Sequence, residues 1–414
     1  MTYDCIVIGG GPAGLAAAIR LKENGINNIL LIERENNLGG ILNQCIHDGF
    51  GLIRFKESLT GPEYAHKFIE KLQDLKIKYL TSTMVIDLKD NKEVTISSKK
   101  GIEILKANSI ILCMGCKERT RGMLAIPGDR PAGILTAGVA QNYVNIYNKM
   151  IGKDIIILGS GDIGLIMARR LTLEGANVKM VVEINSYPSG LPRNVLQCLD
   201  DFNIPLLLNK SISKISGKNR VTSISLEDID ENGNIIPNSE KTYPCDTLIL
   251  SVGLIPDTQL FNNTTIEVDK KTKGALINSN YETSVDGIFT AGNVLHVHDL
   301  VDFVSLEAEK TADAVTDYLK NKIASTTEKI MHCDKISYVV PQKFNTKSDF
   351  KISFRVKRPL EKIKLVIKQG KNTLYQKKYT KLIPAEMMQI NIDHKKLLDH
   401  MPLEVEIIWN PTHV

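Results

Sequence analysis

The stretch Ile6–Gly14 reads IVIGGGPAG, and the stretch Ile156–Gly164, 150 residues further along, reads IILGSGDIG. Each places a Gly-x-Gly-x-x-Gly pattern between a strand-like apolar run and a run with helical spacing. Each is followed, 24 residues after its first glycine, by an acid that ends a second apolar run, Glu33 and Glu183. In this context the glycines allow a close approach to a pyrophosphate, and the acid accepts a hydrogen bond from a ribose hydroxyl. The pattern therefore predicts two dinucleotide sites in one chain, with electrons passing between them.

The length and composition are those of a globular protein with several domains. The chain has 414 residues, of which 43% are hydrophobic and 24% charged, and one core rarely serves so long a chain. Its apolar runs are too short to cross a bilayer, and Met1 leads almost directly into the first strand, without room for a signal peptide. Seven scattered cysteines do not form a disulfide framework. We therefore expect a cytoplasmic protein without a transmembrane segment.

The order of the predicted elements indicates one nucleotide-binding unit inserted into another. Residues 1–118 and 253–330 form the first predicted domain, closed by a long amphipathic helix over about Val301–Leu319, and residues 119–252 form the second. Residues 331–414 alternate with a period of two, which is typical of short antiparallel strands. The predicted fold class is therefore α/β, with two Rossmann-like three-layer domains, the second inserted in the first, and a small C-terminal all-β domain.

The two glycine motifs are expected to bind different ligands. The first domain is closed by a Gly292-Asn293 turn and by the helix that begins near Val301, whose N-terminus would face a flavin and stabilise its reduced ring. The inserted motif has no such closure and fits a nicotinamide dinucleotide. Glu183 would repel a 2′-phosphate, and residues 184–186 contain no arginine, so NAD(H) is favoured over NADP(H).

At this point the sequence resembles a family, the two-dinucleotide-binding-domain flavoproteins of the pyridine nucleotide-disulphide oxidoreductase superfamily, of the thioredoxin reductase type. The resemblance covers about residues 1–325 and implies FAD in the outer domain and NAD(P)H in the inserted one. The motifs that carry it are the two glycine motifs, Gly39-Gly40, Met114-Gly115, Val252–Pro256 and Thr290–Asn293, where the family usually has Gly-Asp. The cofactor-binding residues that it implies are Gly9, Gly11, Pro12, Ala13, Gly14, Glu33, Arg34, Gly39, Gly40, Gly115, Gly159, Gly161, Asp162, Ile163, Gly164, Glu183, Gly253, Gly292, Asn293 and Val301.

The chain departs from the disulfide reductases of this family at the redox dithiol. Alignment on Gly39-Gly40 places Leu42 and His47 where enzymes of the glutathione reductase type have their two cysteines. Thioredoxin reductases instead carry a CxxC in the inserted domain, where this chain has only two widely separated cysteines. One stretch of the sequence, Cys113–Cys116, matches the CxxC pattern, but it lies across the end of a predicted buried strand. Dithiol chemistry is therefore disfavoured.

Three longer strings narrow the resemblance. Gly39–Gly51, Gly115–Gly122 and Gly292–Asp302 are similar to a bacterial subgroup, the NADH-binding FAD oxidoreductase subunits that accompany a glycerol-3-phosphate dehydrogenase-like flavoprotein. This resemblance implies electron exchange with a partner flavoprotein in an oligomeric complex, and a role in glycerol-3-phosphate metabolism. A free-standing NADH oxidase or NADH:acceptor reductase is one alternative. A non-catalytic flavoprotein subunit is another.

His47 and Cys45 are the candidate catalytic residues. The family alignment implies that His47 faces the isoalloxazine, where an imidazole could tune the ring or shuttle a proton. The alternative is a histidine that holds its loop by hydrogen bonds. Cys45 is either a near-flavin thiol or a buried, inert cysteine. His296, His298 and Asp302 have a spacing compatible with metal binding but are expected to cap and to form hydrogen bonds, so no metal site is expected.

The basic charge of the chain lies in its C-terminal segment. Residues 331–414 contain 16 Lys and Arg and 8 Asp and Glu, a balance of +8, which leaves −3 of the total +5 for residues 1–330. The excess indicates either a solvated surface or electrostatic docking to an acidic partner. No nucleic-acid-binding motif accompanies it, so nucleic acid is not an expected partner. On the docking interpretation, removal of residues 331–414 weakens partner association and leaves NADH-driven flavin reduction intact.

Overall fold

The computed structural model describes residues 2–320 and 327–409. The chain forms two compact units: the outer unit, Met1–Cys116 with Ile255–Val414, and the inserted unit, Lys117–Leu254. Within the described ranges, no helix is both long enough and apolar enough to cross a membrane.

The helices and strands are numbered along the chain. The first part of the outer unit contains β1 (Thr2–Ile8), α1 (Pro12–Glu23), β2 (Ile29–Ile32), α2 (Gly61–Asp74), β3 (Lys78–Leu80), β4 (Met84–Leu88), β5 (Glu93–Ser98) and β6 (Gly101–Leu112). Next come β7 (Cys116–Glu118), α3 (Arg121–Leu124), β8 (Ile134–Thr136), α4 (Ala137–Asn145), β9 (Asp154–Leu158), α5 (Asp162–Leu173), β10 (Asn177–Val182), α6 (Pro192–Cys198), β11 (Leu206–Leu207), β12 (Lys210–Ser216), β13 (Ser223–Asp228), β14 (Lys241–Pro244), β15 (Thr247–Leu250) and β16 (Leu254–Pro256). The last part contains β17 (Ile288–Thr290), α7 (Val301–Leu319), β18 (Glu328–His332), β19 (Ile336–Val340), β20 (Lys343–Phe344), β21 (Phe350–Val356), β22 (Leu360–Gln369), β23 (Asn372–Leu382), β24 (Met388–Ile392) and β25 (Leu403–Trp409).

A seven-stranded sheet forms the centre of the outer unit. Its order is β3-β2-β1-β6-β5-β4, and β17 pairs in parallel with β6. The strands β3, β2, β1 and β6 are parallel to their neighbours. All four residues of β2 are buried, as expected for a parallel strand that is covered on both faces. On one face, α1 and α7 contribute alanines to the core, among them Ala16, Ala17, Ala308 and Ala312, whose small side chains allow close packing.

The inserted unit repeats the strand–helix–strand plan of the outer one. Its parallel sheet has the order β11-β10-β9-β15-β8, and a separate antiparallel sheet has the order β12-β13-β14. The turn between β9 and α5 contains the second glycine motif, just as the turn between β1 and α1 contains the first. The parallel strands of this five-stranded sheet and of the seven-stranded sheet, with helices between them, confirm the predicted α/β class.

The C-terminal segment forms two sheets, β20-β18-β25-β22-β23 and β19-β21-β24, that share one core. The predicted period of two is confirmed, because the alternating apolar residues of β21, β22, β24 and β25 are in that core. Val340 at the end of β19 belongs to another core, the one beneath the seven-stranded sheet, with Ile6, Leu112 and Val294. The backbone NH groups of Gln342 and Lys343 both donate to the carbonyl of Ile277. The segment is therefore integrated into the outer unit.

Candidate functional site

The first and last glycines of the first motif are required by the packing of the chain itself. Gly9 has a φ of +105°, and a Cβ there would overlap the carbonyl oxygen of Cys113 at the end of the neighbouring strand. A Cβ on Gly14 would overlap the carbonyl oxygen of Gly9. These two positions let β1, the turn and α1 meet closely, as a Rossmann turn requires.

Packing within the chain does not require a glycine at position 11, the middle glycine of the motif. Gly11 caps α1 with φ −79° and ψ −170°, a conformation open to any L-residue. A Cβ built there has no neighbour closer than the Cα of Gly40, at 3.9 Å. The bare backbone of Gly11 thus stands at the N-terminus of α1, where the free amides and the helix dipole favour an anion. A pyrophosphate accounts for the missing side chain, so the turn fits FAD.

The second motif has the same division of roles. Gly159 has a φ of +98°, and a Cβ there would overlap the carbonyl oxygen of Ser251. A Cβ on Gly164 would lie 2.7 Å from the carbonyl oxygen of Gly159. Gly161, the middle glycine, has φ −66° and ψ 160°, with Ser251 Oγ the nearest atom to a Cβ at 3.8 Å. This turn also fits the pyrophosphate of a dinucleotide.

The acid of the first motif reaches back to its glycine turn. Glu33 is buried, with Oε2 accepting from the backbone NH of Gly10 at 2.6 Å and Oε1 accepting from that of Glu35 at 2.8 Å. Each carboxylate oxygen has room for a second donor. Glu33 can therefore hold the turn and accept from a ribose hydroxyl at once.

Glu183, the acid of the second motif, is more crowded. Its Oε2 accepts from the backbone NH of Ser160 at 3.1 Å, from the Ser160 hydroxyl, and from Ser189 Oγ at 2.9 Å. Its Oε1 accepts from the backbone NH and the side-chain amide of Asn185, at 3.0 and 2.9 Å. These donors fill the roughly four acceptor sites of a carboxylate. A ribose hydroxyl would have to replace one of the serine hydroxyls.

The turn predicted to close the FAD domain does lie against the first glycine motif. Gly292 has a φ of +76°, and a Cβ there would meet Ala13 Cβ at 3.0 Å and Val304 Cγ1 at 3.2 Å. The turn is thus packed between the first turns of α1 and α7. Asn293 Oδ1 accepts from the backbone NH of His298 at 3.0 Å, so its oxygen holds its own loop.

Asp302, in the first turn of α7, positions the loop that carries His47. Its two carboxylate oxygens accept from the backbone NH groups of Gly51, at 3.2 Å, and Arg54, at 2.7 Å. In that loop, the ring of His47 packs on the ring of Phe50, with centroids 4.9 Å apart. The structure therefore brings the His47 loop to the N-terminal turn of α7. The sequence pattern groups Asp302 only with the two histidines and gives no sign of this contact.

Cys45 has the environment of an inert thiol. Its Sγ donates to the carbonyl of Ile41 at 3.3 Å, and burial raises the pKa of this thiol to about 12. Little thiolate is therefore present near neutral pH. Cys45 is half-buried, and of the two alternatives for this residue the inert cysteine fits these surroundings better.

The other predicted cofactor-binding residues have mixed surroundings. Asp162 Oδ1 accepts from the backbone NH of Leu191 and the side-chain amide of Asn194, at 2.8 and 2.7 Å, and so holds α5 to the next segment. Arg34 is well exposed beside Glu35. Gly115 and Gly253 have positive φ angles and open space where a Cβ would be. Gly39 and Gly40 follow the same strand as Glu33. Pro12 begins α1, Ile163 lies in the first turn of α5, and Val301 begins α7.

His296 and His298 lie beside Glu307 in a buried cluster, whereas Asp302, which the sequence pattern groups with them, accepts from the backbone of another loop. Glu307, one turn further along α7, accepts from the backbone NH of Gly292 at 2.8 Å and lies 2.9 Å from His296 Nε2 and 3.3 Å from His298 Nε2. Burial would raise the pKa of Glu307, but the two histidines outweigh it and hold that pKa well below its usual range. Burial lowers the pKa of His296. The sequence contains no local signal for Glu307, because its partners belong to the preceding loop.

Arg355 on β21 clamps the loop that carries the two histidines. Its guanidinium donates to the carbonyls of Val297, Pro384 and Ala385. It also lies 3.3 Å from Asp299 Oδ1, and the other oxygen of that carboxylate accepts from the backbone NH of Met387 at 3.3 Å. The C-terminal segment therefore holds in place the loop that precedes α7.

We expect Arg355→Ala to lower the free energy of unfolding by about 3 kcal/mol, because it leaves the buried Asp299 carboxylate without its cation. Urea denaturation followed by circular dichroism measures the change. Lys357→Ala is the matched control, since Lys357 is half exposed and reaches Asp334 only at 4.0 Å; it should change stability by less than about 0.5 kcal/mol. Equal effects of the two substitutions would contradict a specific clamp.

The chain is similar to known proteins of one family. The model of the pyridine nucleotide-disulphide oxidoreductase family matches residues 3–327. The chain is 27% identical over 299 residues to thioredoxin reductase of Bacillus subtilis, covering 70% of this chain and 86% of that protein. It is 26% identical over 316 residues to an alkyl hydroperoxide reductase subunit of Staphylococcus aureus, covering 75% of this chain but only 57% of that protein.

Solved structures show the same fold. Thioredoxin reductase of T. acidophilum aligns with a TM-score of 0.63 at 21% identity, over 76% of this chain and 98% of that one. Thioredoxin reductase of Lactococcus lactis aligns with a TM-score of 0.64 at 20% identity, over 77% of this chain and all of that one. Both alignments cover about three quarters of this chain. At these identities the likeness shows the fold alone.

Proposed function

Because the chain belongs to the pyridine nucleotide-disulphide oxidoreductase family, whose members are FAD-dependent NAD(P)H oxidoreductases, we propose that it passes a hydride between NAD(H) and FAD. We further propose that it exchanges the electrons with a partner flavoprotein of the glycerol-3-phosphate dehydrogenase kind. Bound FAD supplies the two-electron acceptor for the hydride. The residues of the chain bind and orient the two nucleotides.

The observation that carries this proposal is the pair of middle glycines, Gly11 and Gly161. Both have ordinary φ angles, and neither position is crowded. A side chain at either position would overlap a bound pyrophosphate but would not overlap the protein's own atoms. Two such places in one chain support two dinucleotides.

Three buried cysteines are poorly suited to attack a disulfide. Burial raises the pKa of Cys198 and of Cys245 to about 11, and it also raises the pKa of Cys113. A thiol needs its thiolate form to attack a disulfide. Partner-flavoprotein chemistry is therefore the proposal, although thioredoxin reductases are among the relatives.

Stopped-flow mixing under anaerobic conditions tests hydride transfer. The FAD-loaded protein should lose its oxidised-flavin absorbance when NADH is added, and the Gly161→Ala variant should do so only at much higher NADH concentrations. If NADH does not reduce the flavin of the wild-type protein, the hydride-transfer proposal is wrong, and the alternative of a non-catalytic flavoprotein subunit is favoured. Rapid steady-state turnover with oxygen or a quinone alone would favour the free-standing oxidase.

A second arm tests the partner. The reduced protein is mixed with a purified glycerol-3-phosphate dehydrogenase-like flavoprotein and, separately, with thioredoxin. Reoxidation by the flavoprotein at a rate that supports turnover is the expected result. Reoxidation by thioredoxin instead would contradict the proposal.

The preference for NAD(H) over NADP(H) depends on the charge of Glu183. We expect Glu183→Gln to raise the KM for NADH roughly 10–100-fold, since a charge-assisted hydrogen bond contributes about 1.5–3 kcal/mol. The KM for NADPH should rise less or fall, because the repulsion of a 2′-phosphate is gone. Steady-state kinetics with both nucleotides measures the ratio, and Glu174→Gln, at the end of α5 in the same unit, is the control. An unchanged ratio would remove Glu183 from nucleotide selection.

A further inference from the structure

In the buried cluster of His296, His298 and Glu307, the hydrogen-bond donors and acceptors do not match. The backbone NH of His298 donates to Asn293 Oδ1 at 3.0 Å, which identifies that atom as the amide oxygen, and His298 Nδ1 lies 3.3 Å from the same oxygen. An amide oxygen only accepts, so His298 Nδ1 must carry the ring proton. In the neutral ring, Nε2 then presents a lone pair.

That lone pair faces a carboxylate. His298 Nε2 lies 3.3 Å from Glu307 Oε2, and the side chain of His298 is only 1% exposed. Within the described part of the chain this nitrogen has no hydrogen-bond partner, nor has His296 Nδ1. Two sets of lone pairs at this distance, in a buried site, repel one another unless a proton or a metal cation lies between them.

The three ligand atoms are spaced as around a metal ion. One ring nitrogen of His296, one of His298 and one Glu307 oxygen all lie within 4.8 Å of one another. Glu307 Oε2 is 2.9 Å from His296 Nε2 and 3.3 Å from His298 Nε2. Ligand atoms at about 2.0–2.1 Å from a tetrahedral zinc ion are about 3.3 Å apart. We propose that His296, His298 and Glu307 bind one divalent metal ion of the zinc class.

The surroundings of the cluster meet the usual outer-shell requirements. Histidines that bind metal usually donate the other ring NH to an oxygen, as His298 does to Asn293. The second oxygen of Glu307 is fixed by the backbone NH of Gly292. The nearby cation of Arg355 is compensated by Asp299. Two imidazoles and one carboxylate, without a thiolate, favour zinc-like ions over Ca²⁺, Mg²⁺ or Cu(I).

The metal ion would have a structural role. Its ligands come from the loop after the Gly292 turn and from α7, so the ion would tie that turn to the helix. It is independent of hydride transfer, since it concerns no redox step. Metal binding is therefore expected whichever protein exchanges electrons with the chain.

Zinc binding to the FAD-loaded, chelator-treated protein tests the inference. We expect one Zn²⁺ per chain after desalting, measured by mass spectrometry of the metal, together with a higher midpoint of thermal unfolding. His298→Asn and Glu307→Gln should each weaken binding more than the roughly 10–100-fold loss known for outer-shell partners. Circular dichroism and FAD content show whether each variant is folded.

The chain provides a matched control. Asp349, Asp393 and His394 also form a grouping of possible metal ligands, but this grouping is exposed or half exposed. His394→Asn should leave zinc stoichiometry and affinity unchanged. Loss of zinc in this variant, wild-type affinity in folded His298→Asn, or less than a tenth of an equivalent in the wild-type protein would each overturn the proposal. In the last case, NMR detection of a His298 imidazolium would identify an ion pair with Glu307 in place of the metal.

Discussion

The Gly11→Ala variant should fold normally and fail to retain FAD. The backbone of Gly11 is in a conformation that alanine adopts readily, and the nearest atom to its Cβ would be 3.9 Å away. The methyl group would instead meet a bound pyrophosphate. A clash of this kind costs about 1–3 kcal/mol, or roughly 10–100-fold in FAD affinity. Flavin content after purification and FAD titration of the apoprotein measure the loss.

The same substitution in the second motif should have a separable effect. Gly161→Ala should keep its FAD and raise the KM for NADH, also by roughly 10–100-fold. Gly122→Ala is the control, since a Cβ there meets only Thr120 Oγ1 at 3.8 Å and no cofactor is expected beside it. If Gly11→Ala retained FAD as firmly as the wild-type protein, the first motif would not be the pyrophosphate site.

A chain that ends at residue 330 should lose its FAD and much of its stability. Val340 is part of the core beneath the seven-stranded sheet, and burial of such a side chain contributes about 1.5–3 kcal/mol. Removal of the segment also takes away the Arg355 clamp and the hydrogen bonds to Ile277. The combined loss, about 5 kcal/mol or more, is a large part of the stability of a typical domain.

This expectation replaces the one drawn from sequence, in which the C-terminal segment could be removed without harm to flavin reduction. Soluble yield, FAD content and thermal unfolding of the truncated chain distinguish the two. The docking interpretation can be tested separately by charge reversal of Lys377, Lys378 and Lys381, which are exposed on the edge strand β23. A truncated chain with full FAD content and normal melting would restore the sequence-based expectation.

The features that sequence predicts well depend on local pattern. The structure begins and ends α7 at Val301 and Leu319, as predicted, because the apolar period is unbroken over that stretch. The alternating residues of the C-terminal strands are buried as their period requires. Both glycine motifs lie in strand–turn–helix contexts. In each case neighbouring residues carry the whole signal.

The features that sequence misses depend on distant partners. Asp302 accepts from the backbone of Arg54, 248 residues earlier, and no periodicity records that contact. Glu307 has the sequence context of an ordinary polar residue in an amphipathic helix, yet it is buried beside two histidines. The pattern also shows that Val340 is apolar without showing which core receives it.

The donors around Glu183 have a consequence for the kinetics of cofactor binding. They hold the segment from Asn185 to Ser189 in place through the folded chain's own hydrogen bonds. The conformational entropy of this loop is therefore lost during folding, before any nucleotide arrives. Association then needs the exchange of a single hydroxyl, so NADH should bind at a rate set by diffusional encounter and orientation, without a slow ordering step.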